Sequence, residues 1–164
     1  MPSAFHIRPA EQADGLFLGD MVVEAANWRR GGGRARHEIM TSGEHNRYVS
    51  GWMRPGDAGF IAVDANSRPI GASWYRTLPR SDPGFGYVGT GVPELIIGVR
   101  PIWRAHGVGR ALLQQLCDLA RAQGYARLSL SVERDNYATT LYRSEGFDVT
   151  EGGIRRDTMV KRLR

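Results

Sequence analysis

"ELIIGVRPIWRAHGVGRALLQQLCDLARAQGYARLSLSV", residues 94–132, carries the decisive pattern of this chain. Its first six residues form a compact apolar run of strand length, expected to be buried on both faces. Residues 107–124 then switch to a helical period. Val108, Leu112, Leu116, Leu119 and Ala120 make an apolar stripe, and Arg110, Gln114, Asp118 and Arg121 the opposite polar one. Gly124 supplies the stop. "ARLSLSV" (126–132) alternates with a period of two, which predicts a second strand. A strand, a crossover helix and a strand of these lengths place two parallel strands in one sheet with a right-handed connection.

Working outward, "FHIR" (5–8) reads as a first strand and the segment 10–28 as a helix with early acidic residues. "RRGGGRARHE" (29–38) reads as a flexible loop, because three consecutive glycines lose too much backbone freedom to hold a helix. "EHNRYVSGWM" (44–53) predicts a short helix, and "FIAVDANSRPIGASWYR" (60–76) a hairpin turning at "ANSRP". A long Gly/Pro loop follows (77–93). Beyond the central unit, 136–146 predicts a short helix with Asn136 at its cap, and "FDVTEGG" and "DTMVKRL" a closing strand pair. The expected architecture is α/β in the α+β sense. It is a mixed, mostly antiparallel sheet around a central parallel βαβ unit, with helices on both faces, in one domain over residues 1–164.

Composition narrows the function classes. The chain has 164 residues, 41% hydrophobic and 24% charged, which suits one globular domain rather than a disordered chain. The net charge of +5 is carried almost wholly by arginine, with Lys161 the sole lysine. That balance suits anionic ligands, yet no nucleic-acid motif accompanies it, and no nucleic-acid partner is expected. The single cysteine, Cys117, excludes an internal disulfide and reads as a packing residue in the strong helix. No apolar run is long enough for a membrane span, and the N-terminus lacks a secretory pattern, so a cytoplasmic protein without a membrane partner is expected. The sequence leaves room for a homodimer.

Two motif matches fail on context. "GFGYVG" (84–89) fits G-x-G-x-x-G but lacks the flanking strand and helix of a dinucleotide site, so it reads as a flexible loop. "HEIMT" (37–41) lacks the second histidine of a zinc signature, and no metal is expected.

"PIWRAHGVGR" (101–110) puts Arg104, Gly107, Gly109 and Arg110 at the start of the clearest helix. A helix start offers four unpaired N–H groups and partial positive charge, and glycines let a ligand approach them. This is the making of a phosphate cradle. The same glycines would serve equally to turn a strand into a helix.

The pattern R-x-x-G-x-G after "ELIIGV" closely resembles the acetyl-CoA loop of the GNAT N-acetyltransferases. "NYATTLYRSEGF" (136–147) is similar to that family's N-x-x-A-x-x-L-Y-x-x-x-G-F, with Thr139 in place of the usual alanine. The two blocks cover residues 94–147, and their joint spacing is more specific than either alone. The resemblance implies a GNAT-like fold and transfer of an acetyl group from acetyl-CoA to a primary amine of a small molecule or peptide. It implies that the backbone of Ile97, Gly98 and Val99 pairs with the pantetheine arm. Amides of Ala105, His106, Gly107, Val108, Gly109 and Arg110, with Arg104, would hold the pyrophosphate. Asn136 would contact the cosubstrate and Tyr142 would sit near the thioester sulfur. Glu94 resembles the family's strand-start glutamate and is the candidate base; Tyr142 is the candidate acid. Alternation places Glu94 with Ile96 and Gly98 on one strand face. Trp28, Arg29, Trp74 and Tyr87 are candidates for the acceptor side. A non-catalytic acyl-CoA-binding regulatory module is the alternative; it would keep the cradle and dispense with Glu94 and Tyr142.

Overall fold

The structure is a computed structural model, and it describes residues 4–28 and 33–164. Seven strands form one sheet: β1 (Phe5–Pro9), β2 (Ala58–Asp64), β3 (Pro69–Arg76), β4 (Glu94–Val99), β5 (Arg127–Glu133), β6 (Asp148–Gly152) and β7 (Arg156–Arg162). Their order is β1-β2-β3-β4-β5-β7-β6. Every neighbouring pair is antiparallel except β4 and β5, which are parallel. The helices are α1 (Gly15–Ala26), α2 (Arg36–Met40), α3 (Gly43–Asn46), α4 (Val108–Ala122) and α5 (Ala138–Ser144). No helix among the described residues is long and apolar enough to cross a membrane.

The mixed sheet with its central βαβ unit is therefore present, and helices cover both faces. On one face α1 presses against β4 at Gly98, where a Cβ would lie 2.5 Å from the Met21 carbonyl oxygen. On the other face Leu112 and Val108 of α4 approach Gly71 within 3.3 Å of where its Cβ would be. Each face has its own core. Leu18, Met21, Ile61 and Trp74 pack on the α1 side, and Leu113, Leu116, Leu128 and Phe147 on the α4 side. Cys117 is buried in the second core, and burial pushes its thiol pKa up.

The parallel seam positions the site. β4 and β5 pair at Glu94–Ser129 alone, where the Ser129 amide donates to the Pro93 carbonyl at 3.0 Å. Beyond that point the strands part. On the opposite edge of β4 the Arg100 amide donates to the Ile70 carbonyl at 2.8 Å. Alternation from these two bonds turns the amide groups of Glu94, Ile96 and Gly98 to β3 and those of Ile97 and Val99 to the open gap, while the Leu95 N–H belongs to the Glu94–Ser129 bridge. Ile96, Ile97 and Val99 are accordingly only half-buried, where burial on both faces was expected.

Three local readings change. α2 begins at Arg36, inside the stretch read as a loop, since Ala35 is already past the glycine run. The helix expected over 44–53 is short, covering Gly43–Asn46, and bends and turns follow it. Trp74, a candidate for the acceptor side, is instead fully buried and does not line the gap between β4 and β5, and its indole N–H donates to the Tyr48 carbonyl at 2.9 Å. Beside it the fully buried Arg76 donates to the carbonyls of Arg47 and Ser50, both at 2.8 Å, and pairs with buried Asp57 at 2.5 Å. β3 thus pins the segment 47–50 from two side chains.

Candidate active site

The gap between β4 and β5 opens into a cavity of about 360 Å³ that reaches both faces of the sheet. Glu94, Ile97, Gly98, Val99, Arg104, Ala105, Gly107, Gly109, Arg110, Asn136 and Tyr142 all line it. His106 and Val108 do not: Val108 is 1% exposed and packs with Ile70 and Leu112. The His106 ring bonds the Arg104 carbonyl at 2.8 Å and lies against Trp103. These two residues have only their amides to offer. Gly98 lines the cavity, but its amide groups face β3 and its missing Cβ serves the approach of α1.

The cradle is built by backbone conformation. Ala105 has φ +62° and Gly107 φ +84°, both left-handed. Left-handed residues inserted in a turn gather successive N–H groups into a concave nest for an anion. No amide from Ala105 to Arg110 makes a well-formed hydrogen bond to another of the described residues; the first paired amide is that of Ala111, to the Gly107 carbonyl at 3.1 Å. The flanking cations are held in place, Arg104 by Glu24 at 3.4 Å and Arg110 by Glu145 at 2.5 Å.

Glu94 sits where the gap closes and is 3% exposed. Its Oε2 accepts from the Tyr48 hydroxyl at 2.6 Å and the Gly86 amide at 3.0 Å, while its Oε1 has no partner among the described residues. Burial raises its pKa, against the opposing effects of Tyr48, the Gly86 amide, Arg47 and Arg156. Tyr48 is itself pushed up, by burial and by the neighbouring Glu94 carboxylate, so it stays a proton donor to Glu94.

Tyr142 lies on the α4 side, edge-on to Phe147, with a hydroxyl that bonds no group among the described residues. Burial raises its pKa to about 12, so it is protonated at neutral pH. Asn136 caps α5 by accepting from the Ala138 amide at 2.9 Å. That bond spends its Oδ1 and leaves its side-chain N–H₂ free.

An unpaired amide nest, an open parallel seam and a buried carboxylate at its closed end agree with the comparisons. The acetyltransferase (GNAT) family profile matches residues 34–147, well over half of the chain. This chain belongs to the GNAT acetyltransferase family.

The GNAT fold extends over nearly the whole chain. A GCN5-related N-acetyltransferase from Kribbella flavida superposes with a TM-score of 0.67 at 22% identity, covering 97% of this chain and 98% of its own. The paia N-acetyltransferase of Thermoplasma acidophilum, in complex with coenzyme A, gives 0.66 at 18% identity, over 97% and 99%. Salmonella typhimurium yncA, with its cofactor acetyl-CoA, gives 0.68 at 20%, over 98% and 95%. Among curated proteins, mycothiol acetyltransferases of Jonesia denitrificans and Thermobifida fusca are 29% and 31% identical over 152 and 142 residues. Those matches cover 90% and 80% of this chain but 44% and 43% of theirs. The chain thus spans less than half the length of these relatives.

Within this GNAT chain, the α1 side of the cavity holds groups that sequence reasoning missed: His45, Tyr48, Phe85, Glu133 and Arg156. They come from α3 and the turns after it, the 77–93 loop, β5 and β7, and no local pattern marks them. Of the acceptor candidates, Trp28 lines the cavity, and its indole N–H donates to Glu133. Tyr87 lies outside the lining, and Arg29 lies outside the described residues. The stretch "GFGYVG" is packed rather than loose. A Cβ at Gly84 would collide with Glu94 Oε1, and one at Gly86 would lie 2.6 Å from the Leu130 carbonyl carbon. These glycines are there for close approach to the site.

Proposed function

We propose that this chain transfers an acetyl group from acetyl-CoA to a primary amine of a small molecule or peptide. The observation that carries the reading is the continuity of the gap. It runs from the amide nest at 105–110, past the free backbone edge of β4, to the buried Glu94. Acetyl-CoA fits these residues: the nest suits a pyrophosphate, and the edge groups of Ile97 and Val99 suit the amides of a pantetheine arm. That assignment shifts the pairing expected from Ile97, Gly98 and Val99 onto the residues whose amides face the gap. When bound, the thioester supplies an acyl carbon activated towards an amine.

The chain's own groups handle the protons. An alkylamine with pKa ~10.4 leaves only about one molecule in 10³ neutral at pH 7. Glu94 would take the ammonium proton, directly or through one water, at its free Oε1. A burial-raised pKa brings a carboxylate nearer to the working pH, where a base is most effective. Tyr142 would give its proton to the departing sulfur as the C–S bond breaks and the C–N bond forms. A thiol of pKa ~8.5 already leaves readily, so this acid supplies less than the base. Tyr142→Phe is expected to lower kcat by about tenfold, with little change in the KM for acetyl-CoA, measured by steady-state kinetics.

A non-catalytic acyl-CoA module would have no need of a buried carboxylate held by Tyr48 and Gly86. The test is thiol release from acetyl-CoA against a panel of amines, to which mycothiol-related acceptors belong because of the relatives' names. Saturable turnover on at least one amine is expected; saturable binding with no turnover on any would favour the module. Gly109→Leu checks the donor site. A Cβ at Gly109 meets Leu141 at 3.6 Å, an ordinary contact, so the fold accommodates it while the longer branch enters the cavity. Losing one or two charge-assisted bonds should raise the KM for acetyl-CoA by about tenfold to a hundredfold. Gly109→Ala should change it much less.

A further inference from the structure

The charged groups lining the cavity, Arg156 apart, bond to charged or polar partners. Arg104 has Glu24, Arg110 has Glu145, Glu94 has Tyr48 and Gly86, and Glu133 accepts from Trp28. Arg156 is different. It opens β7 directly opposite Glu133, yet makes no ion pair among the described residues. Its guanidinium carbon lies 4.0 Å from the centroid of the Phe85 ring, and its Nη1 reaches only the Ser131 hydroxyl, at 3.4 Å. Stacking on a ring holds the plane of a guanidinium and leaves its edge donors to a partner in that plane.

A second unmet group stands beside it. His45 is 9% exposed, lines the same cavity and packs edge-on to the other neighbour of this pair, Phe85, at 5.5 Å. Neither of its ring nitrogens has a partner among the described residues. Burial, with Arg34 and Arg156 nearby, lowers its pKa, so it presents a neutral ring with one donor N–H. Buried polar atoms in folded chains are normally bonded, and unmet ones gathered in a cavity point to a ligand that meets them. Arg156 also acts electrostatically on Glu94, so the unmet cation stands close to the candidate base.

We infer that Arg156, with His45, forms an anion subsite for the acceptor, and that the acceptor is a small amine bearing a carboxylate a few bonds from its nitrogen. This rests on the acetyl-transfer reading and narrows its substrate class. Glu94 faces the ammonium end and Arg156 the carboxylate end, so the two ends of an amino-acid-like molecule find opposite charges. The planar fork of arginine matches a carboxylate through two parallel bonds.

The experiment compares matched acceptors in the thiol-release assay: amino acids, their carboxamides, and amines bearing a phosphate instead. Alongside it, the thermal shift produced by the corresponding N-acetyl amino acids and N-acetyl carboxamides measures binding without turnover. Carboxylates are expected to exceed carboxamides in kcat/KM by about tenfold or more, the equivalent of one charge-assisted pair. Arg156→Gln should bring that ratio close to one, and Arg156→Lys, which keeps the charge without the fork, should leave an intermediate ratio. Equal use of carboxamides, a preference for phosphate, or a preference that survives Arg156→Gln would overturn the subsite. Absence of turnover, with binding of N-acetyl amino acids that still depends on Arg156, would keep the subsite and sink acetyl transfer. No binding of the carboxylates would sink the subsite.

Discussion

Glu94→Gln is expected to lower kcat by about 10²–10⁴-fold, the usual contribution of a positioned base, while leaving the protein at least as stable at neutral pH. Glutamine keeps an oxygen for the Tyr48 hydroxyl and the Gly86 amide, and it removes a buried charge. The pH dependence has a definite sign. Burial raises the pKa of Glu94 in the folded chain above its unfolded value. In the window between those two values the folded state holds the extra proton, so stability falls as pH rises through it. Above the window the full penalty of the buried carboxylate remains. The melting temperature of Glu94→Gln should therefore equal or exceed that of the wild type at pH 7 and should lose this slope. The acid limb of the kcat/KM profile should sit above the ordinary glutamate range in the wild type and vanish in the variant. Loss of stability with retained activity would remove Glu94 from the chemistry.

Arg76→Met is expected to destabilise the fold by about 3–5 kcal/mol, because it removes the buried cation paired with Asp57 and leaves that carboxylate only the Arg54 amide, at 2.8 Å, and the outlying Arg54 guanidinium, at 3.9 Å. Both side chains are almost fully enclosed, at 0% and 2% exposed. The same change deprives the Arg47 and Ser50 carbonyls of their donor. Tyr48 lies between those carbonyls, so its hold on Glu94 should loosen in whatever fraction remains folded. Denaturant unfolding gives the first effect, and kcat at low temperature the second. Changing Asp57→Leu together with Arg76→Met should recover part of the stability, since an apolar pair can replace a buried ion pair. It should not recover kcat, because the carbonyl clamp is still missing.

The fold and the proposed donor half of the site are legible in the sequence for the same reason: both are local. A period of two, a period of 3.6 and a glycine pair at a helix start can each be read within a few residues. Arg104, Gly107 and Gly109 are where the spacing put them. The acceptor half was not legible. Tyr48, Phe85 and Arg156 lie far apart in the chain and meet only because β3 clamps the 47–50 segment and β7 runs beside β5. Composition also cannot separate a glycine needed for mobility from one needed for close approach. Gly84 and Gly86 were read as the first kind and are the second, pressed against Glu94 and the β5 backbone. Trp74, a candidate for the acceptor side, belongs to the core instead, because its place in β3 turns it inward and its N–H finds the Tyr48 carbonyl. The family resemblance implies Gly98 as a backbone partner for the ligand; strand parity, fixed by bonds at Pro93 and Arg100, points its amide to β3, so the proposed pairing passes to Ile97 and Val99.

The most direct test of the account is an amide-resolved titration of the protein with coenzyme A, followed by ¹⁵N–¹H spectra. Saturable downfield shifts are predicted at Gly107, Val108, Gly109 and Arg110, where unpaired N–H groups would gain phosphate partners, and at Ile97 and Val99 along the gap. Gly98, whose amide faces β3, should move little. Saturable binding that leaves the 105–110 amides unshifted, or no binding at all, would contradict it.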